Sequence, residues 1–241
     1  MTIDQEKLVL PKAESWQMFN AISPKYDQLN HLLSFGLDRG WRKSLVTWLP
    51  SRRDLRVLDL ATGTGDVLIT LLKKSFNIDS ACGVDLAEEM LKIAQRKVRE
   101  AQLSDRVSFQ KGDAAQIPYP DESFDVVTMA FGIRNTPAPD KVLKEMLRVL
   151  KKGGRVIILE FSLPADPFLR GLQLFYLRRI VPLVGGMVSG NAQAYRYLNQ
   201  TIETFPSGEA FYELLEDAGF QIVSSQALTF GSATIYKGDK V

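Results

Sequence analysis

Five short β-prone runs alternate with helical stretches through the middle of the chain: RVLDL (56–60), ACGVD (81–85), VSFQ (107–110), FDVVTMAF (124–131) and RVIILEF (155–161). Helical crossovers let successive strands run in one direction, so the alternation predicts a parallel sheet with helices on both faces. The helical stretches carry the matching period. In DKVLKEMLRVL, Leu143, Met146, Leu147 and Leu150 form one apolar stripe at i, i+3, i+4 and i+7, and KKGG is expected to stop the helix. SGEAFYELLEDAGF repeats the arrangement with Phe211, Leu214, Leu215 and Ala218, Ser207 as the expected N-cap and Gly219 at the end. Two last β-prone runs, QIVSSQ and TFGSATIYK, predict a terminal antiparallel pair.

At 241 residues and 45% hydrophobic content, the chain can bury the core of one domain with elaborations. Thirty Lys and Arg against 28 Asp and Glu leave a net charge of +2, too little field to steer polyanions, so nucleic acid is not an expected partner. Cys82 is the only cysteine, which excludes a disulfide scaffold and a cysteine-rich metal centre; no metal is expected. MTIDQEKLVLPK has acidic residues and no apolar stretch of signal-peptide length, so the expected location is cytoplasmic.

Two segments stand outside the alternation. Residues 14–49 are helical in character, with Trp41, Leu45 and Trp48 on one face and Pro24 and Gly36 as punctuation. Residues 168–190, FLRGLQLFYLRRIVPLVGGMVSG, are apolar around nearly the whole helical circumference, yet Arg170, Arg178, Arg179 and Pro182 make them a poor bilayer span. Two readings stand for this segment: a buried helix of the core, or a lid over a lipophilic ligand in contact with a membrane surface. The expected organisation is a single domain with a helical cap (1–50), a cofactor-binding core (51–165), a helical lid (166–205) and a C-terminal part of the core (206–241).

The most informative run is VLDLATGTGD (57–66), a strand passing through Asp59 into a glycine turn and a helix that begins near Asp66. Gly63 and Gly65 allow a tight turn and close approach of a ligand. Asp85 lies twenty residues beyond Gly65 at the end of the next strand, where a carboxylate accepts both hydroxyls of a ribose. A dinucleotide fingerprint starting at Gly63 would need glycine where Leu68 stands, which disfavours an NAD-dependent oxidoreductase. S-adenosylmethionine has a ribose, an ammonium and a sulfonium but no phosphate, and suits Asp59 and Asp66; capping of turn and helix is their ordinary alternative. GDAAQIPYPDESFD then places Asp113 and Ala114 after the third strand, within reach of an adenine amino group.

VLDLATGTGD, GVDLAEEML, GDAAQIPYPDESFD and EMLRVLKKGGRVIILEFS resemble the successive motifs of the class I S-adenosylmethionine-dependent methyltransferases, with Ala61 where many members have the first loop glycine. YDQLNHLLSFGLDRGWR (26–42), AFGIRN (130–135), LEFSLP (159–164) and YRYLNQTIETFP (195–206) resemble the quinone-biosynthesis C-methyltransferases that act on demethylmenaquinone and the ubiquinone precursor. The similarity runs from about Trp16 to Tyr236. It implies a Rossmann-like α/β fold: a mostly parallel seven-stranded sheet with an antiparallel C-terminal strand and helices on both faces. It implies S-adenosyl-L-methionine as co-substrate, held by Asp59, Thr62, Gly63, Gly65, Asp85, Leu86, Asp113, Ala114 and Ala130.

The implied reaction methylates a ring carbon of a reduced polyprenyl quinone, demethylmenaquinol or the 2-polyprenyl-methoxy-benzoquinol precursor of ubiquinone. Arg134 is the candidate for stabilising the phenolate and Asn135 for orienting the ring. Their bland alternatives are a pair between Arg134 and Asp140 and a turn cap before Pro137. Tyr26, Asp27 and Asn30 are candidates to close over the ligands, with Asp27 as proton acceptor or, in the ordinary alternative, a helix cap. Tyr195 and Tyr197 are pocket-lining or core residues. His31, the only histidine, is read as a packed or exposed helix residue and not as a base. A nucleic-acid amino-methyltransferase is disfavoured because AFGIRN stands where such enzymes carry Asp or Asn followed by Pro-Pro and an aromatic residue. A module that binds cofactor without catalysis, peripheral membrane contact through 168–190 and a homodimer remain open.

Overall fold

A computed structural model describes residues 10–189 and 191–241; the first nine residues, on which most of the leader reading falls, lie outside the described residues. The described chain opens with α1 (Ser15–Leu33) and α2 (Leu37–Ser44). The core follows as β1 (Leu55–Leu60), α3 (Asp66–Lys74), β2 (Ile78–Asp85), α4 (Glu88–Glu100), β3 (Val107–Lys111), β4 (Phe124–Ala130), α5 (Pro139–Val149) and β5 (Leu150–Phe161). Then come α6 (Pro167–Phe175), α7 (Val181–Ser189), α8 (Ala192–Thr204), α9 (Glu209–Asp217), β6 (Gln221–Leu228) and β7 (Ala233–Asp239).

The sheet order is β3-β2-β1-β4-β5-β7-β6, and β7 is the strand that runs against its neighbours. Strand order reverses between β1 and β4, which opens a crevice at their carboxyl ends. Side chains of a strand alternate between faces, so Leu58, Leu60, Val127 and Met129 pack under α5 and α9, while Val57, Val126 and Ile157 pack under α3, Trp41 and Leu45. A third cluster joins α1 to the later helices through Ile22, Leu29, Leu177, Val181 and Tyr195.

Local boundaries differ from expectation at four places. The α5 stripe buries Val142, Leu143, Met146 and Val149, while Leu150 already opens β5 opposite Phe124. KKGG does not end the helix; it lies inside β5, where the register skips from Leu150 opposite Phe124 to Arg155 opposite Val126 and Gly153 takes φ +70°. Such a bulge needs the left-handed conformation that glycine tolerates. Gly208, not Ser207, is the N-cap of α9, without a side-chain bond. Pro24 lies inside α1 without breaking it: it lacks the N–H that would reach the Asn20 carbonyl, and the Ser23 hydroxyl donates to that oxygen instead at 2.9 Å.

The segment 168–189 is buried only in part: Leu177 and Val181 pack in the cluster with α1. No residue of α6 is buried, whereas a fully buried Leu or Phe contributes about 1.5–3 kcal/mol. Polar ties hold it: Gln173 donates to the Ser162 carbonyl at 3.0 Å, and the Tyr176 hydroxyl, in the π-turn before α7, donates to the Leu33 carbonyl at 2.9 Å. Among the described residues no helix is long and apolar enough to cross a membrane.

Candidate active site

The turn after β1 takes left-handed backbone at Ala61, Gly63 and Gly65 (φ +48°, +54° and +81°). A Cβ on Gly65 would press on Ala94 at 3.1 Å, while the space over Gly63 is open, with nothing nearer than the Ala61 carbonyl at 4.0 Å. A ligand can therefore lie directly on the backbone there. Asp85, at the end of β2, fixes the turn: one carboxylate oxygen accepts from Gly63 N–H and the other from Ala87 N–H, both at 2.8 Å. Burial pushes its pKa up against those backbone bonds. Each oxygen keeps an unused lone pair for a diol.

Asp59 is fully buried beneath the turn and accepts from the hydroxyls of Thr62 at 2.7 Å and Thr128 at 2.6 Å. Burial raises its pKa to about 7 despite these bonds. A cation above the turn would favour its ionised form. Leu86 is 37% exposed beside Asp85. Asp113 is exposed after β3 and accepts from Ala115 N–H at 2.8 Å, with Ala114 half-buried beside it. Ala130 closes β4, in register with Leu159. Two carboxylates at successive strand ends and an open glycine turn suit a nucleoside ligand that carries positive charge.

Beyond the turn lies an apolar cavity of about 560 Å3, the volume of a site for a small organic ligand. Thr62, Gly63 and Ala130 belong to its wall, as do Tyr26, Asn30, Arg134, Asn135, Tyr195 and Tyr197. Asp27, Asp59, Gly65, Asp85, Leu86, Asp113 and Ala114 lie outside that lining. Phe131 stacks on Phe161 with centroids 4.5 Å apart, and its φ of +58° is unusual for a bulky side chain. Gly132 lets this segment meet the glycine turn after β1: a Cβ on it would stand 2.7 Å from that of Ala61. Ala61 is thus more than a neutral stand-in for glycine, because its methyl occupies the space above Gly132.

Arg134 is 2% exposed and pairs with Glu160, not Asp140: its Nη1 donates to Glu160 Oε1 at 2.5 Å and to the Phe131 carbonyl at 2.6 Å. Asn135 Nδ2 donates to the same carbonyl at 3.2 Å. Arg134 Nε and Asn135 Oδ1 are buried without a hydrogen-bond partner. Buried polar atoms of this kind are uncommon and call for a partner.

In the cap, Tyr26 faces the cavity; burial raises its phenol pKa, opposed by a hydrogen bond from Asn30 and the charge of Arg134. Asp27 borders a separate cleft between α1 and α4 and accepts from Thr64 Oγ1 at 2.6 Å and Lys97 Nζ at 2.8 Å. Lys97 also bridges to Asp66, and Arg42 reaches Asp66 at 3.3 Å and Asp38 at 2.8 Å. The network ends at His31, whose Nδ1 lies 3.1 Å from Asp38 Oδ1, a partner that sequence spacing did not reveal. This network ties α1 and α2 to the glycine turn and the start of α3. Glu160 and Arg42 lie within LEFSLP and the cap motif without having been singled out, whereas Thr64 and Lys97 carried no signal of their contacts.

The model of the ubiE/COQ5 methyltransferase family matches residues 7–240. A demethylmenaquinone methyltransferase of Thermus thermophilus is 44% identical over 223 residues, 92% of this chain and 100% of that protein. The ubiquinone/menaquinone biosynthesis C-methyltransferase UbiE of Geobacter sulfurreducens is 43% identical over 92% of this chain and 87% of its own. Among solved structures, a SAM-dependent methyltransferase from Thermotoga maritima superposes with a TM-score of 0.67 at 22% identity, covering 94% of this chain and all of that one. The fold is thus that of the Rossmann-like class I methyltransferases.

Proposed function

The chain belongs to the ubiE/COQ5 methyltransferase family, and on that premise we propose that it methylates a ring carbon of a reduced polyprenyl quinone, converting demethylmenaquinol to menaquinol. A second acceptor, the 2-polyprenyl-methoxy-benzoquinol precursor of ubiquinone, is favoured by relatives named for both quinones. The observation that carries the reading is the pair of unspent polar atoms, Arg134 Nε and Asn135 Oδ1, buried beside an apolar cavity that opens next to the cofactor turn.

S-adenosyl-L-methionine, when bound, supplies an electrophilic methyl group on a sulfonium. We assign its binding to Asp59, Thr62, Gly63, Gly65, Asp85, Leu86, Asp113, Ala114 and Ala130. The ring carbon forms a bond to the methyl group as the carbon–sulfur bond breaks and its electron pair stays on sulfur. One ring hydrogen is replaced, so one proton is released per turnover.

A ring carbon attacks well only once a neighbouring hydroxyl has lost its proton. The Arg134 guanidinium, permanently charged, stabilises that phenolate, and Asn135 orients the ring through its free carbonyl oxygen. Tyr26 and Asn30 close the cavity from the cap, and Tyr195 and Tyr197 line it. Asp27 lies outside the cavity lining and accepts from Thr64 and Lys97, so in this reading it clamps α1 to the turn and is not the proton acceptor. Aromatic walls exclude water and favour charge annihilation between phenolate and sulfonium.

The 166–205 helices serve this reaction as a roof. Leu172, Phe175 and Leu177 face the cavity, while Phe168, Leu183 and Met187 are exposed on the outside. We place the protein in the cytoplasm, resting this face on the membrane that holds the prenyl tail. Phe168→Asp combined with Met187→Asp is expected to lower co-sedimentation with lipid vesicles at least about tenfold. Methylation of a short-tailed, water-soluble quinol should stay unchanged. Undiminished vesicle binding would remove the membrane role.

The decisive assay incubates the purified protein with labelled S-adenosyl-L-methionine and each reduced quinone, with the product identified by mass. Transfer to a ring carbon of either is expected; transfer to neither overturns the proposal.

A further inference from the structure

We propose that Glu160 is the positioning residue of Arg134: it holds the guanidinium in the one orientation that serves the substrate ring. This rests on the role given to Arg134 above. Glu160 is 1% exposed near the end of β5, in register with Thr234 of β7, and lies outside the cavity lining. It therefore acts through Arg134.

Three N–H donors converge on its carboxylate. Oε1 accepts from Arg134 Nη1 at 2.5 Å and from Phe161 N–H at 2.8 Å, and Oε2 accepts from Arg134 N–H at 3.4 Å. One side chain thus holds both the main chain and the side chain of Arg134. Because the Phe131 carbonyl takes Nη1 from another side, and the Phe161 ring lies 5.0 Å from the guanidinium carbon, the plane of the group is set. Nε is left without a partner.

Charge reinforces the geometry. Lys12, 9% exposed in the short turn before α1, lies in the field of both Arg134 and Glu160, and the Tyr236 phenol also feels Glu160. Without Glu160, the repulsion between Arg134 and Lys12 would lose an opposing charge. Glutamine cannot substitute: its amide presents donors where one carboxylate oxygen accepts, so at least one of the three N–H groups would meet another donor.

Displacing a reacting or stabilising group by about 1 Å costs on the order of 100-fold in rate. Glu160→Gln is therefore expected to lower kcat for the quinol about 10- to 100-fold, with KM and Kd for S-adenosyl-L-methionine within about twofold of wild type. Glu160→Asp keeps the charge but draws it back by one methylene, and is expected to lower kcat likewise; it also serves if the Gln variant fails to fold. In the Arg134→Ala background, which leaves no buried guanidinium to hold, Glu160→Gln should add less than about twofold. A residue that merely supports the fold would instead give multiplicative losses and weaker cofactor binding. Wild-type kcat in both Glu160 variants, or multiplicative losses in the double variant, would overturn the proposal. If Arg134→Ala alone keeps wild-type turnover, the role of Arg134 fails first and this inference falls with it.

Discussion

Arg134→Ala is expected to lower kcat for the quinol by about 100- to 1,000-fold, the range for removing one donor from a developing oxyanion, while the cofactor Kd stays within about twofold. The separation follows from position. Arg134 lines the cavity and bonds to Glu160 and Phe131, whereas the glycine turn after β1 is held by Asp85. Loss of the guanidinium leaves the Glu160 carboxylate buried without its cation, so a lower melting temperature is expected as well. Single-turnover kinetics at saturating cofactor separate the two effects. Arg134→Lys should recover little, because an ammonium cannot reproduce the fork shared between a carboxylate and a carbonyl. A kcat within threefold of wild type for the alanine variant would refute the assignment.

Asp85→Ala should act on the other half of the site. Its carboxylate accepts from Gly63 and Ala87 N–H groups, and the ribose hydroxyls are assigned to the remaining lone pairs. Charge-assisted bonds of this kind are worth about 1.5–3 kcal/mol each, so losing them should raise the Kd for S-adenosyl-L-methionine by about 100-fold or more. At saturating cofactor, kcat should change little, since no reacting atom is assigned to Asp85. Titration calorimetry with the cofactor and with its demethylated product reads both ends of the comparison. A Kd within threefold of wild type would place the ribose elsewhere.

The strand positions were readable because four of the five runs are apolar and lie in the interior of the sheet, where a parallel arrangement buries them on both faces, while VSFQ forms the edge strand β3. Local chemistry at their ends was harder. KKGG looks like a helix stop, yet β5 begins before it, because Leu150 pairs with Phe124 across the sheet and the glycines absorb the bulge. Pro24 looks like a helix break, yet Ser23 replaces the missing bond locally. In the first case a strand neighbour distant in sequence decided the boundary; in the second an adjacent hydroxyl did.

Much the same division runs through the site. Residue order and type point to the carboxylates at the ends of β1 and β2, because a strand followed by a glycine turn places them wherever the chain goes. They also point to AFGIRN as the place where polar groups leave the sheet. Neither order nor spacing tells which carboxylate faces Arg134: Asp140 is six residues away and Glu160 is 26, but β4 and β5 run side by side and bring Glu160 to its guanidinium. Nor do they show that Asp27 spends its charge on Lys97, 70 residues distant, instead of on the cavity. The sequence by itself determined the order of the strands' apolar runs, the glycine turn and the family of the reaction, since these rest on patterns within single segments. Only the tertiary structure decided which charges are paired and which polar atoms are left unspent. Those facts depend on strand adjacency and on burial, where an ion pair or an orphaned donor acquires energies that the same groups would not have in water.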